Sequence, residues 1–214
     1  MQGMSVRIQV SPRHDGGKVA SISGRFVVIE GADATGKTTL GARLGAQANT
    51  TCVESPPRPL RDIKTEVFKK FDPFARLLYF ASGNAQLSSL ASKVDIGQNL
   101  VGIRYIWSTL AYHSAMEGVG VATTLAILKS VIPYLIMPEY VIFLTAQRDE
   151  QLERLALRGE LPRESFSEAA LFNTRLAESF REAFDLLPVG TITMDTTFTS
   201  VDDLAASLLP RIRS

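Results

Sequence analysis

This chain has little cysteine or histidine and no excess of either charge sign. Cys52 is the one cysteine in 214 residues, so no internal disulfide forms, and with only His14 and His113 beside it no zinc-type Cys/His cluster can be assembled. A single thiol fits a reducing compartment, and a cytoplasmic location is expected. Lys plus Arg number 23 against 22 Asp plus Glu, a formal charge of +1, which argues against a disordered polyelectrolyte and against a nucleic-acid-coating protein. Long uncharged runs are also missing. The least charged region, Tyr105 to Pro138, holds Glu117 and Lys129, and its apolar part, Val119 to Met137, carries Lys129 near its middle and is interrupted by Pro133. The charge-free pieces fall short of the roughly 20 residues a spanning helix needs, so a buried or interface helix is expected and no membrane partner. Residues 1–24 mix Arg7, Arg13, His14, Asp15 and Lys18 with Gly16 and Gly17; they do not read as a secretory signal and are expected to form a flexible arm.

What is present suits one α/β domain over residues 25–214, with 45% of the chain hydrophobic. Phe26 to Ile29, Thr51 to Val53, Leu100 to Ile103, Tyr140 to Leu144 and Thr191 to Met194 are compact runs rich in β-branched, aromatic and aliphatic residues, and predict five strands. Between them lie helical patterns: Lys37 to Gln47, a helix opened by Pro59 and running through Phe71, another capped by Asp72 and Pro73 and reaching about Val94, helical parts of Ile106 to Leu135, Glu150 to Leu157 with Gly159 as a stop, a helix to about Phe184 opened by a Ser165/Glu168 capping box, and Val201 to Leu209. Alternating strands and helices imply a parallel sheet covered on both faces.

The chemistry is concentrated in Gly31-Ala32-Asp33-Ala34-Thr35-Gly36-Lys37-Thr38, which satisfies G-x-x-x-x-G-K-[ST] between a predicted strand and a predicted helix. Glycines at both ends let the backbone curl so that its N-H groups converge on phosphate oxygens, and the helix N-terminus adds partial positive charge. Lys37 would reach the β and γ phosphates of ATP and Thr38 would hold Mg²⁺ through its hydroxyl, with Thr35 and Thr39 on either side of that pair. A chance match in this length is on the order of 1%, so a nucleoside triphosphate site is the working expectation.

Written out as FVVIEGADATGKTTL, the loop resembles that of the thymidylate kinases, and the likeness continues through most of residues 25 to 210. Glu54 to Leu60 (ESPPRPL), Leu78 to Gln86 (LYFASGNAQ), Arg104 to Tyr112 (RYIWSTLAY) and Arg154 to Arg163 (RLALRGELPR) resemble, in order, the segment after the second strand, the acceptor-base helix, the D-R-Y segment and the lid of bacterial members. The resemblance implies a P-loop kinase fold, a five-stranded parallel sheet flanked by helices with a short lid, and transfer of the ATP γ-phosphoryl group to a nucleoside monophosphate such as dTMP, with Mg²⁺, in a homodimer. It implies an acceptor contact for Asp33, an acceptor-phosphate contact for Arg104, and cationic lid residues among Arg154, Arg158 and Arg163. Phe80 and Asn84 are i and i+4, so a base stacked on Phe80 would meet Asn84 at its edge, while Ser108 and Tyr112, one turn apart, would line the same pocket.

Ser55 and Pro162 replace typical family residues, and two further departures fall on chemistry and base recognition. Ile103 stands where D-R-Y has its aspartate, and Asn84 stands where the family uses an arginine against the thymine carbonyl. An isoleucine neither accepts a proton nor organises metal-bound water. Glu54, just after the second predicted strand, is the residue expected to compensate. Three readings therefore stand side by side: a monophosphate kinase, a nucleoside kinase in which Glu54 is the base toward a 5′-hydroxyl, and a nucleotide-binding protein whose transfer activity has decayed.

Overall fold

The computed structural model describes residues 24–161 and 165–213. The chain runs β1 (Arg25–Gly31), α1 (Lys37–Gly45), β2 (Thr50–Glu54), α2 (Lys64–Lys70), α3 (Pro73–Ala91), β3 (Asn99–Ile103), α4 (Ile106–Glu117), α5 (Val121–Leu128), β4 (Tyr140–Thr145), α6 (Arg148–Leu157), α7 (Phe166–Leu186), β5 (Thr191–Asp195) and α8 (Val201–Arg213). The five strands form one parallel sheet in the order β2-β3-β1-β4-β5. The expected α/β architecture, five parallel strands flanked by helices, is the one found.

Strand periodicity decides which helices lie on which face. In β1, Val27 and Ile29 join the core under α1 and α8, with Leu40, Leu44, Leu204, Leu208 and Ile212. Phe26 and Val28 point the other way, into a larger core with α3, α4, α5 and α7. That second core is aromatic: Trp107 stacks on Phe184 at 5.7 Å, Phe143 meets Phe180 at 5.2 Å, and Tyr105 stands edge-on to Phe26 at 5.5 Å. The indole N-H of Trp107 is not left dry, since it donates to the Leu187 carbonyl at 2.9 Å. On the opposite face α1 lies close to the sheet because Gly41 has no side chain; a Cβ there would sit 2.5 Å from Ile103 Cδ1 and 2.8 Å from Cys52 Sγ.

Local signals explain most element ends. The Asp72 carboxylate accepts from the Ala75 N-H at 2.9 Å with Pro73 at the first helical position, as expected. Gly159 adopts φ 68° and closes α6, its N-H bonding to Ala156 O and that of Glu160 to Leu155 O, the paired bonds of a left-handed helix stop. Other expectations need correction. The helix foreseen from Pro59 to Phe71 is a tight 3-10 turn over Leu60–Ile63 followed by the short α2. The Tyr79 hydroxyl takes the Leu60 carbonyl at 2.8 Å, removing the acceptor a continuous helix would offer to Lys64. The third helix stops at Ala91, short of Val94, where Ser92 Oγ bonds back to Ser89 O. Ser165 makes no side-chain cap, because its backbone (φ −91°, ψ 4°) is not in the extended conformation a cap requires.

Gly24, placed with the arm by sequence, is tied to the domain by its N-H to Val94 O at 3.1 Å; the rest of the arm, residues 1–23, lies outside the described residues. The apolar stretch after Val119 forms α5, eight residues ending before Lys129, and no described helix is long and apolar enough to cross a membrane.

The C-terminal end of β1 imposes the tightest steric demand. Gly31 has φ 141°, and a Cβ there would lie 2.3 Å from the Leu144 carbonyl of β4. Gly31→Ala is expected to lower the unfolding free energy by about 2 kcal/mol or more, strain and overlap acting together. Gly118→Ala, at φ 67° with nothing within 4 Å of its Cβ, should cost less in the same urea titration; equal losses would contradict the packing argument.

Candidate active site

The loop predicted from sequence curls over the C-terminal ends of the strands, where open parallel sheets bind ligands. Gly36, at φ 87°, precedes the first turn of α1, and Ala34 is also left-handed at φ 59°. The Thr35 hydroxyl closes the curl on Ala32 O at 2.9 Å, and Lys37 Nζ donates to the same carbonyl. Arg154, on α6, holds the loop from outside: one guanidinium nitrogen donates to Ala34 O and to Thr196 Oγ1, both at 3.1 Å, and the other to Thr196 O at 2.8 Å. Its Nε pairs with Glu150 Oε1 at 2.8 Å.

The wall opposite the loop is built by the junction between β3 and α4. Arg104 sits there with φ 66°, its N-H bonded to Ile29 O at 2.9 Å. Its guanidinium donates to the Asp33 carboxylate, to Ser108 Oγ at 3.3 Å and to Tyr112 Oη at 3.2 Å, and lies 4.7 Å from the Tyr112 ring centre. The Tyr112 hydroxyl in turn donates to Asp33 Oδ2 at 2.9 Å. Behind this network is Glu30, fully buried. Its carboxylate accepts from the backbone N-H of Tyr105 at 2.8 Å, from the Ser108 N-H at 3.1 Å and from the Ser108 hydroxyl. Tyr105 has no side-chain oxygen able to cap α4, so a carboxylate from a neighbouring strand does it.

A cavity of about 120 Å³ opens between these walls, lined by Asp33, Ala34, Gly36, Lys37, Thr38 and Thr39 from the loop and α1, by Glu54, Lys64, Ile103 and Arg104 from the far side, and by Arg158 from the end of α6. Most of the residues expected to act at phosphate are thus brought together, while Arg163 lies outside the described residues. Glu54 is held by Arg61, which reaches its Oε2 at 3.3 Å and also donates to its backbone carbonyl. The expected base-contacting pair lies apart from the cavity. Phe80 is half-buried against Phe68 at 5.6 Å and Tyr79 at 5.0 Å. Asn84 is only 1% exposed; its amide donates to Thr109 Oγ1 at 2.9 Å and its Oδ1 accepts from Ser55 Oγ at 3.5 Å.

Charge in the cavity is crowded. Burial, and then the proximity of Arg104, pull the Lys37 ammonium down to about 7 despite Asp33, Glu30 and Glu54 nearby. The same two causes lower Lys64. Burial raises the Glu30 carboxyl, although its hydrogen bonds from Ser108 and Tyr105 and the Arg104 charge oppose the rise. Cations that repel one another in this way are stabilised when polyanionic phosphate arrives.

The thymidylate kinase family profile matches residues 29–207. The chain belongs to the thymidylate kinase family. It is 27% identical over 186 residues to a thymidylate kinase of Deinococcus radiodurans, covering 81% of this chain and 89% of that one. To a probable thymidylate kinase of Metallosphaera sedula it is 35% identical over 137 residues, 61% of this chain and 65% of the other. The fold matches the solved thymidylate kinase of Candida albicans with a TM-score of 0.68 at 22% identity, over 89% of this chain and 91% of that one. As a thymidylate kinase family member, the chain is a nucleotide kinase, an ATP-dependent phosphotransferase acting on a nucleoside monophosphate.

Against that family background, sequence reasoning missed Glu30, Arg61 and Lys64. Glu30 was legible in principle, since period 2 puts it on the face of Phe26 and Val28, where a carboxylate must find buried donors. Nothing in the local spacing marked Lys64, which reaches the cavity only because the chain turns tightly at Leu60–Ile63.

The depressed Lys37 makes a prediction about protons. At pH 8 the nucleotide-free protein holds Lys37 mostly neutral, and bound phosphates raise its pKa, so ATP binding takes up a proton. Calorimetry in buffers of differing ionisation enthalpy should show more proton uptake for the wild type than for Lys37→Met at pH 8; equal uptake would refute the assignment.

Proposed function

We propose that this protein transfers the γ-phosphoryl group of ATP to the phosphate of a dTMP-like nucleoside monophosphate, with Mg²⁺. The observation that carries the reading is the set of four cations, Lys37, Lys64, Arg104 and Arg158, around one cavity at the phosphate-binding loop. Phosphoryl transfer needs positioning and charge stabilisation more than covalent help, and cations arriving from separate elements provide both. In this reading Lys37 and the N-H groups of the loop, from Gly31 through Thr39, hold the β and γ phosphates, while Arg158, with Arg163, reaches the group in transit. Arg104 and Lys64, on the side away from the loop, hold the acceptor phosphate, and Asp33, Ser108 and Tyr112 fix Arg104 in place. Phe80 offers a stacking face for the base, and Asn84 sets the spacing between α3, Ser55 and α4.

Mg²⁺ fits the donor set. Among the described residues no group of three His, Cys, Asp or Glu can hold a metal, which suits an ion carried mainly by phosphate oxygens and water with the Thr38 hydroxyl as protein ligand. When bound, it would neutralise charge developing on the β and γ oxygens.

A phosphate acceptor is favoured over a 5′-hydroxyl because the acceptor side carries two cations and because Glu54, the base candidate there, is paired with Arg61. A phosphate oxygen arrives ionised and needs no strong base. We further propose a cytoplasmic homodimer built from residues 25–214 as a single domain. Phe74 and Leu78, one turn apart on α3 and 55% and 45% exposed, support a self-associating face.

Labelled ATP incubated with a panel of nucleoside monophosphates and nucleosides should label monophosphates only. Labelling of nucleosides alone would transfer the case to the 5′-hydroxyl reading, and binding without labelling would establish a decayed enzyme. Arg104→Ala should lower kcat/KM for the monophosphate by about 10²-fold or more. Light scattering should give a dimer for the wild type and a monomer for Leu78→Glu; a monomeric wild type would remove the dimer.

A further inference from the structure

Three carboxylates stand near the phosphate-binding loop, and their surroundings sort them. Glu30 is fully buried, with one oxygen accepting from two backbone N-H groups of α4 and the other from the Ser108 hydroxyl. Asp33 has one oxygen on Arg104 and the other on Tyr112. Glu54 differs in that, among the described residues, only one of its carboxylate oxygens is engaged. Arg61 meets its Oε2, its side chain is 31% exposed, and it lines the cavity that Thr38 also lines. Lys37 and Lys64 line that same cavity, so the carboxylate shares it with cations from both the loop and the acceptor side.

Register adds a second, independent point. The parallel pairing of β2 with β3 sets Glu54 directly beside Ile103, each the last residue of its strand. Enzymes with this loop hold Mg²⁺ through the loop hydroxyl and one carboxylate. The end of β3, next to the central β1, offers only the apolar Ile103, which packs toward Gly41 and leaves no oxygen there. One strand further out, the end of β2 does offer one.

We infer that Glu54 is the carboxylate that orients the water shell of Mg²⁺ when MgATP is bound, acting across the cavity from Thr38 in place of any acid at position 103. The inference rests on the reading that the chain uses MgATP. Arg61 is then a positioning residue, since its bonds to the backbone carbonyl and carboxylate of Glu54 and to Pro56 O at 3.2 Å fix the direction in which the carboxylate points. A magnesium ion keeps most of its waters, so a carboxylate can serve it through water without direct coordination.

Direct binding separates this role from that of a general base. ATP affinity is measured by calorimetry across a Mg²⁺ titration for wild type, Glu54→Gln and Lys37→Met, with melting curves confirming folded protein. For the wild type, Mg²⁺ should tighten ATP binding. In Glu54→Gln, which keeps the shape of the side chain, the Mg²⁺ concentration giving half of that tightening should rise about 10- to 100-fold, the usual loss when a group supporting a metal shell is removed. Lys37→Met should weaken ATP binding at every Mg²⁺ concentration. A wild-type Mg²⁺ response in Glu54→Gln, with or without lost turnover, overturns the inference and leaves the kinase reading intact. Failure of the wild type to bind ATP overturns the kinase reading itself.

Discussion

A single buried carboxylate sets the geometry on which the site depends. Taking Glu30 out of water costs several kcal/mol even after relaxation. Three hydrogen bonds to the charged group, each worth about 1.5 to 3 kcal/mol, together with the dipole of α4, are of the size needed to offset that cost. The consequence reaches past stability. By fixing the first turn of α4, Glu30 decides where Arg104, Ser108 and Tyr112 stand, and Arg104 in turn decides where Asp33 points. A chain of polar contacts thus runs from the sheet interior to the mouth of the cavity, and each member is satisfied by the next.

Much of the fold was legible because two periodicities agree with each other. Unbroken apolar runs such as Phe26 to Ile29 and Tyr140 to Leu144 marked strands covered on both faces, and the caps at Asp72 and Gly159 did what their residue types favour. The failures share a cause. Whether the segment after Pro59 is one helix or a turn and a helix is decided by the Tyr79 hydroxyl claiming the Leu60 carbonyl, a contact made across 19 residues of sequence. Ser165 has the right spacing to Glu168 but the wrong backbone, and spacing carries no record of φ and ψ.

The site divides along the same line. Residues whose position follows from a contiguous motif, Lys37 and Thr38 above all, line the cavity where that spacing put them, because the curl of the loop is local. Residues that matter through distant packing could not be placed this way. Lys64 enters the cavity by way of a tight turn, and Asn84, whose i+4 spacing to Phe80 pointed to an exposed recognition edge, lies buried between Ser55 and Thr109. Ile103 reads in sequence as a loss of chemistry; in three dimensions it is also a packing residue against the bare backbone of Gly41, which ties that departure to the seating of α1.

Arg154 has a bearing on motion. Because its guanidinium is clamped between the loop carbonyl of Ala34 and both the carbonyl and hydroxyl of Thr196, the body of α6 is stitched to the phosphate cradle and to the segment after β5. Arg158, one turn further along, already lines the cavity, so the stitch at Arg154 restrains the end of α6 from which Arg158 faces the phosphate site. A clamped helix end thereby holds its last cation at the cavity before any ligand arrives.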